Sequence, residues 1–257
     1  MNKNNIRHFI VTTGRSGSSL LASILVDAGA DFGLPAVSDW SENRGAYEHP
    51  DINYVSRQFR RAEYLRGKRR SSLFAKYLFD ARRSLGKRKA KQVLRKIDYA
   101  KSDNLDLWIW HLIKMGYHPR IIVSFRDFTA IARSLYILRG MNHDQIVENY
   151  RRIYENSLLM LDAFGGCVIS FEELIDVEET AWADALSLST SFSTDSLIYY
   201  RNKRLKKRES FYNSINLKVL DSDPQISIVE DRLRKLKGEF IPPSFQIQRK
   251  SSLPPVK

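Results

Sequence analysis

Phe9-Ile10-Val11-Thr12-Thr13-Gly14-Arg15-Ser16-Gly17-Ser18-Ser19-Leu20-Leu21 is the stretch on which the fold turns. Three continuous apolar residues read as a strand buried on both faces, and the small residues after them read as a tight turn. Leu20, Leu21, Ile24, Leu25 and Ala28 follow at helical spacing, with Ser18 or Ser19 available as N-cap and Gly29 placed to end the helix. A turn between a buried strand and a helix is where unpaired backbone N–H groups and the positive helix end meet an anion. Gly14 and Gly17 allow close backbone approach, Ser16, Ser18 and Ser19 add hydroxyl donors, and Arg15 adds charge. A phosphate cradle is the expectation, against the alternative of an ordinary tight turn.

Three better-known glycine motifs do not fit. The Walker A spacing and its lysine are missing, position 18 is serine where a nucleophile elbow has glycine, and the Rossmann glycine pattern fails.

A second unit of the same kind starts near Arg120. Ile121, Ile122, Val123 and Phe125 form a buried-type strand, and Ala130, Ile131, Ser134, Leu135 and Leu138 recur at helical intervals up to Gly140. Arg126 sits at the strand end and Ser134 about two turns into the helix, so both can reach the space above the sheet edge where open α/β sheets bind ligands. The Arg126 guanidinium and the Ser134 hydroxyl are suited to a phosphate group. Read alone, Arg126-Asp127 is more readily a surface ion pair capping a helix. A third strand, Cys167 to Ser170, precedes the acidic turn Phe171-Glu172-Glu173-Leu174. Strands alternating with helices give the expected fold class: α/β, with a mostly parallel central sheet covered by helices on both faces.

The 257 residues are 43% hydrophobic, enough for one substantial core, and residues 1–257 are read as a single domain. One cysteine excludes an internal disulfide, and Cys167 in its apolar run reads as a buried thiol. The net charge of +13 is concentrated: residues 57 to 101 hold 17 Lys/Arg against Glu63, Asp80 and Asp98, and the remainder is nearly neutral. That distribution disfavours a protein that coats nucleic acid with a uniformly basic surface. It gives instead a neutral chassis with a basic helical insert over residues 57–98. Within the insert Ser71 to Ile97 reads as helix, with Leu73, Phe74, Tyr77, Leu78, Ala81 and Leu85 on one apolar stripe and a break or kink at Gly86. Residues 242–257 read as a flexible Pro-rich tail. The polar start, Met1 to Arg7, and the lack of any apolar run near 20 residues lead to the expectation of a cytoplasmic protein, at most peripheral to a membrane.

Taken together and in this order, the two turns resemble the sulfotransferase family, whose sulfuryl donor is 3′-phosphoadenosine 5′-phosphosulfate. Gly14-Arg15-Ser16-Gly17-Ser18-Ser19 looks like its 5′-phosphosulfate loop, and Arg126-Asp127 with Ser134-Leu135-Tyr136 looks like its 3′-phosphate motif. Phe128 departs from the family's usual proline. Asn43-Arg44-Gly45-Ala46-Tyr47-Glu48 and Ser170-Phe171-Glu172-Glu173-Leu174 resemble segments of the bacterial members. The resemblance covers roughly residues 6 to 54 and 99 to 175. It implies a P-loop NTPase-like three-layer sandwich and transfer of a sulfuryl group to a hydroxyl, less readily an amine, of a carbohydrate or glycolipid, with adenosine 3′,5′-bisphosphate as product.

The resemblance implies roles for individual residues. Gly14, Arg15, Ser16, Gly17, Ser18 and Ser19 hold the 5′-phosphosulfate, and Arg126 and Ser134 the 3′-phosphate. Lys101 contacts the bridging-oxygen side of the donor. The general base is Glu48 or, second, Asp103, two residues after Lys101 where the cytosolic branch has histidine; His49 and His111 stay open. Trp40, Tyr47, Trp108 and Trp110 are acceptor-pocket or core residues. No metal is implied, since cations and backbone donors supply the charge stabilisation. The basic insert falls between Glu48 and Lys101, and so reads as an acceptor-recognition element for an anionic saccharide or membrane-borne glycolipid, with peripheral membrane contact and no specific nucleic acid. The competing readings are an atypical P-loop kinase and a module binding nucleic acid or anionic membrane through the insert.

Overall fold

The computed structural model describes residues 5–33, 49–70, 72–102, 104–175 and 224–244. Its centre is a five-stranded sheet: β1 (Ile6–Val11), β2 (Tyr99–Lys101), β3 (His118–Phe125), β4 (Gly166–Ser170) and β5 (Phe240–Ile241), in the order β2-β1-β3-β4-β5. The first four strands are parallel and β5 pairs antiparallel with β4. Around them in chain order lie α1 (Ser18–Asp27), α2 (Pro50–Leu65), α3 (Leu73–Val93), α4 (Ile109–Lys114), α5 (Phe128–Arg139), α6 (His143–Phe164), α7 (Phe171–Ile175) and α8 (Pro224–Lys235).

Side chains alternate across a strand, so the continuous apolar runs feed two separate cores. Phe9, Val11, Ile121, Val123 and Val168 pack with residues of α2 to α6 and α8 on one face, and Ile10, Ile122, Cys167 and Ile169 pack with α1 and α7 on the other. This is an α/β domain with a mostly parallel sheet and helices on both faces. Trp108 is fully buried and meets Phe9 edge-on at 5.6 Å, which makes it a core residue and removes it from any acceptor pocket. Cys167 is buried too, and burial pushes its thiol up to about 12.

Several local expectations need correction. The N-cap of α1 is Gly17 in the left-handed region (φ 90°), with Ser18 and Ser19 inside the first turn; only glycine enters that helix without backbone strain. Its other end is as expected: Gly29 is left-handed, Gly29 N–H donates to Val26 O and Ala30 N–H to Leu25 O, the paired bonds of a Schellman stop. The short strand β2 escaped the sequence reading because three residues next to a basic helix carry no alternation to detect. Pro242 and Pro243 are followed by Ser244, whose N–H donates to Asp162 O at 3.0 Å, so the start of the tail is seated on α6; residues 245–257 lie outside those described.

The basic insert is an antiparallel hairpin of α2 and α3. Arg82 donates to Gln58 Oε1 at 3.1 Å and Lys89 pairs with Asp51 at 3.0 Å, which fixes its register. The apolar stripe expected to bury α3 does so only in part, with Leu78, Ala81 and Leu85 half-buried. Ala75, Phe79, Gly86, Ala90 and Val93 face the core, whereas Leu73, Phe74 and Tyr77 are exposed. Gly86 leaves the helix unbroken and serves as its contact point with α2, where a Cβ would stand 2.7 Å from the Phe59 ring. Gly86→Leu is therefore expected to cost about 1–3 kcal/mol by overpacking, read as a lower urea midpoint at unchanged slope.

His8 stacks on Tyr99 (centroids 4.5 Å apart), and burial together with Arg120 and Arg7 pushes its imidazole down to about 4. A histidine whose folded value lies below its unfolded value near 6.5 stabilises the neutral form, so stability is present above pH 6.5 and is lost as pH falls toward 4. His8→Phe is expected to remove on the order of 2–3 kcal/mol of the stability lost across that window in thermal unfolding, leaving the share of any other histidine held neutral in the fold.

Candidate anion-binding site at the carboxyl edge of the sheet

Parallel strands β1 and β3 end side by side, Val11 opposite Val123, and the turns that follow them meet above the sheet. Buried hydroxyls join the two ends. Thr12 Oγ1 and Ser16 Oγ lie 2.6 Å apart, Ser16 Oγ donates to Ser124 Oγ at 3.0 Å, and Gly14 N–H donates to Thr12 Oγ1 at 3.0 Å. Tyr154, wholly buried on α6, donates to the Ser124 carbonyl at 2.9 Å, and burial holds its phenol well above the usual range.

Arg15 has φ 66° and is the one non-glycine residue in the left-handed region among the described residues. Such a backbone persists only where its surroundings over-determine it. Here the Arg15 Nε–H donates to Ser134 Oγ at 2.7 Å, and its carbonyl accepts from the Arg126 guanidinium at 3.3 Å. The expected phosphate ligands of the second turn therefore both engage Arg15 directly. Lys101, at the end of β2, donates to Ser19 Oγ at 3.2 Å. Arg15, Ser16, Gly17, Ser18, Ser19, Lys101, Arg126 and Ser134 are thus gathered at one sheet edge, with Gly14 among them. Glu48, Asp103, Trp40 and Tyr47 lie outside the described residues.

The other histidines have structural partners. His49 caps α2, its Nδ1 accepting from Asp51 N–H at 3.1 Å, and partial burial lowers its pKa. His111 packs on Phe59 with Nε2 3.0 Å from the Arg83 guanidinium, and burial with Lys87 and Arg83 nearby pushes it down to about 4.

Three contributors were missed by the sequence reading. Phe171 lies under the Arg126 guanidinium at 4.4 Å and against Gly17, where a Cβ would overlap its ring. It is held by a reciprocal pair at the start of α7: Ser170 N–H to Glu173 Oε2 at 2.7 Å and Glu173 N–H to Ser170 Oγ at 3.2 Å. Within the quoted Ser-Phe-Glu-Glu-Leu segment the capping-box spacing was legible, the contact with Gly17 was not. Arg139 reaches the loop from the last turn of α5, 4.0 Å from where a Gly14 Cβ would stand. Glu230 of α8 accepts from Phe128 N–H at the start of α5 and faces the Tyr150 hydroxyl at 3.2 Å.

The two helix starts consequently differ. That of α5 is satisfied by the Glu230 carboxylate, and Asp127 pairs with Arg234 at 2.6 Å, so the predicted Arg126-Asp127 surface pair is replaced by a buried Arg126 and a half-buried Asp127. That of α1 has no acid in its first turn and no side-chain cap. The positive end of α1, with Arg15 and Lys101 beside it, has the charge and free N–H groups that suit an anion. Against protein-family models, curated proteins and solved structures, the chain shows no match.

Gly17→Ala is expected to destabilise the fold by about 1–3 kcal/mol through the left-handed backbone and the Phe171 overlap. Phe171→Ala should relieve part of that cost, which a double-mutant cycle in urea would read as a coupling of at least about 0.5 kcal/mol.

Proposed function

We propose that this protein is a sulfotransferase that takes a sulfuryl group from 3′-phosphoadenosine 5′-phosphosulfate to a hydroxyl of a carbohydrate or glycolipid, in a P-loop-like three-layer fold. The observation that carries this reading is the convergence of two separate strand-turn-helix units on Arg15, through Ser134 and Arg126. A nucleotide with phosphates at both the 5′ and 3′ positions needs two anion sites held at a fixed separation. A loop whose arginine is tied to the second turn supplies that separation without reorganisation.

The donor set suits such a nucleotide. The helix start of α1 and the Ser18 and Ser19 hydroxyls face the 5′ end, and Lys101, already on Ser19, adds a cation where charge develops on the leaving phosphate. Arg126 and Ser134 serve the 3′-phosphate, with Arg139 a further cation within reach of the loop. The donor supplies the activated sulfur. The chain's part is to orient both ends, to stabilise the departing charge, and to accept the acceptor's proton through Glu48 or Asp103. Phe171 backs Arg126 and limits its rotation.

Adenosine 3′,5′-bisphosphate at about 100 times its Kd is expected to stabilise the folded chain by about 2.7 kcal/mol without Mg²⁺, visible as a rise of several degrees in Tm. Arg126→Ala should remove most of that shift, and ATP with Mg²⁺ should not reproduce it. Transfer of labelled sulfate to a saccharide and glycolipid panel then tests the chemistry, with Glu48→Ala and Asp103→Ala compared to assign the base. A folded protein indifferent to the bisphosphate would sink the reading.

A further inference from the structure

The tip of the α2–α3 hairpin combines two properties that a solvated helical face does not need together. Tyr64 is 73% exposed, Leu73 86%, Phe74 71% and Tyr77 69%. Leu73, Phe74 and Tyr77 share one side of the first turns of α3, and Tyr64 stands at the facing end of α2. Large apolar side chains clustered in this way on a surface mark a contact site. Around them, residues 64 to 77 carry five Lys/Arg and no acid.

The apolar side chains are presented rigidly. Ser72 Oγ accepts from Ala75 N–H at 3.2 Å and starts α3 immediately before Leu73. The opposite side of the same helix is already committed to the core through Ala75 and Phe79, so the exposed side has no intramolecular role among the described residues. Lys68 lies over the Tyr64 ring at 4.9 Å, which puts a cation beside the apolar cluster instead of away from it.

We propose that this tip docks onto an anionic membrane surface, with Leu73 and Phe74 entering the headgroup–acyl boundary and Lys68, Arg69 and Lys76 pairing with lipid phosphates and carboxylates. Apolar insertion combined with cationic attraction is the chemistry of interfacial helices. Nucleic acid would satisfy the cations but leave an adjacent Leu and Phe facing phosphate and water. The middle of α2 reaches the strand end beside the anion site: Ser56 lies 3.1 Å, hydroxyl to hydroxyl, from Ser102, the residue after Lys101. Tyr64 is eight residues farther along α2, about 12 Å at helical rise. A docked tip would therefore hold the sheet-edge site within reach of a headgroup. The inference stands apart from the sulfuryl-transfer reading, because docking needs neither donor nor turnover.

The test is co-sedimentation of the full chain with sucrose-loaded vesicles, either phosphatidylcholine alone or with about 30% phosphatidylserine. Binding is expected only to the anionic vesicles and should weaken with salt. Replacing Lys68 and Arg69 by Gln should lower the partition coefficient about fivefold per charge, from about 1 kcal/mol each. Leu73→Ser with Phe74→Ser should lower it at least tenfold while thermal unfolding stays at the wild-type temperature, since both side chains are exposed. Equal binding to neutral and anionic vesicles, or wild-type binding by the Leu73/Phe74 double variant, overturns the proposal. So does tighter binding to duplex RNA or DNA than to vesicles, or a self-association seen by sedimentation that the double variant disperses.

Discussion

Ser16 and Ser124 stand at the ends of neighbouring parallel strands, and the hydrogen bond between their hydroxyls joins the two turns from which the rest of the site is built. Both residues are fully buried. A buried hydroxyl left without a partner costs about 1–3 kcal/mol, so Thr12, Ser16, Ser124 and Tyr154 specify one another's positions as well as stabilising the edge. Arg15 can then occupy a left-handed backbone because its two ends are held by Ser134 and Arg126. The loop's charge is in place before any ligand arrives.

Electrostatically the molecule keeps two basic regions apart. At the sheet edge a few cations surround one uncapped helix start, while Glu230 neutralises the neighbouring one. The hairpin carries most of the net charge, yet its cations face water, aromatic rings or the occasional acid, as with Arg69 over Phe79 and Lys89 on Asp51. A large formal charge thus says little about the sheet-edge site, which depends on geometry at a handful of positions.

Much of the architecture is local and so was readable in the chain. The continuous apolar runs at Phe9 to Val11 and Ile121 to Val123 fixed doubly buried strands, Gly29 and Gly140 ended their helices, and the strand-turn-helix repetition led to the parallel sheet. The bringing together of Arg15, Arg126 and Ser134 followed from that topology. What escaped was set by long-range contacts. The buried side of α3 includes Gly86 fitted against Phe59, a contact with no periodic signature, and the first turns of the expected apolar stripe are left exposed. The places of Phe171 and Glu230 depend on segments over 100 residues away, which spacing within one turn cannot reveal.

The carboxylate at the start of α5 comes from a residue 102 positions later in the chain. At typical synthesis rates that separation is roughly 5 to 20 s. During that interval β1, β3 and both turns can be assembled while the α5 start still presents unsatisfied N–H groups. Until α8 is made, the starts of α1 and α5 are alike in lacking a carboxylate partner, and Glu230 then distinguishes them. The difference between the two helix starts is in this sense a late event in the protein's synthesis, completed by the last helix of the described residues.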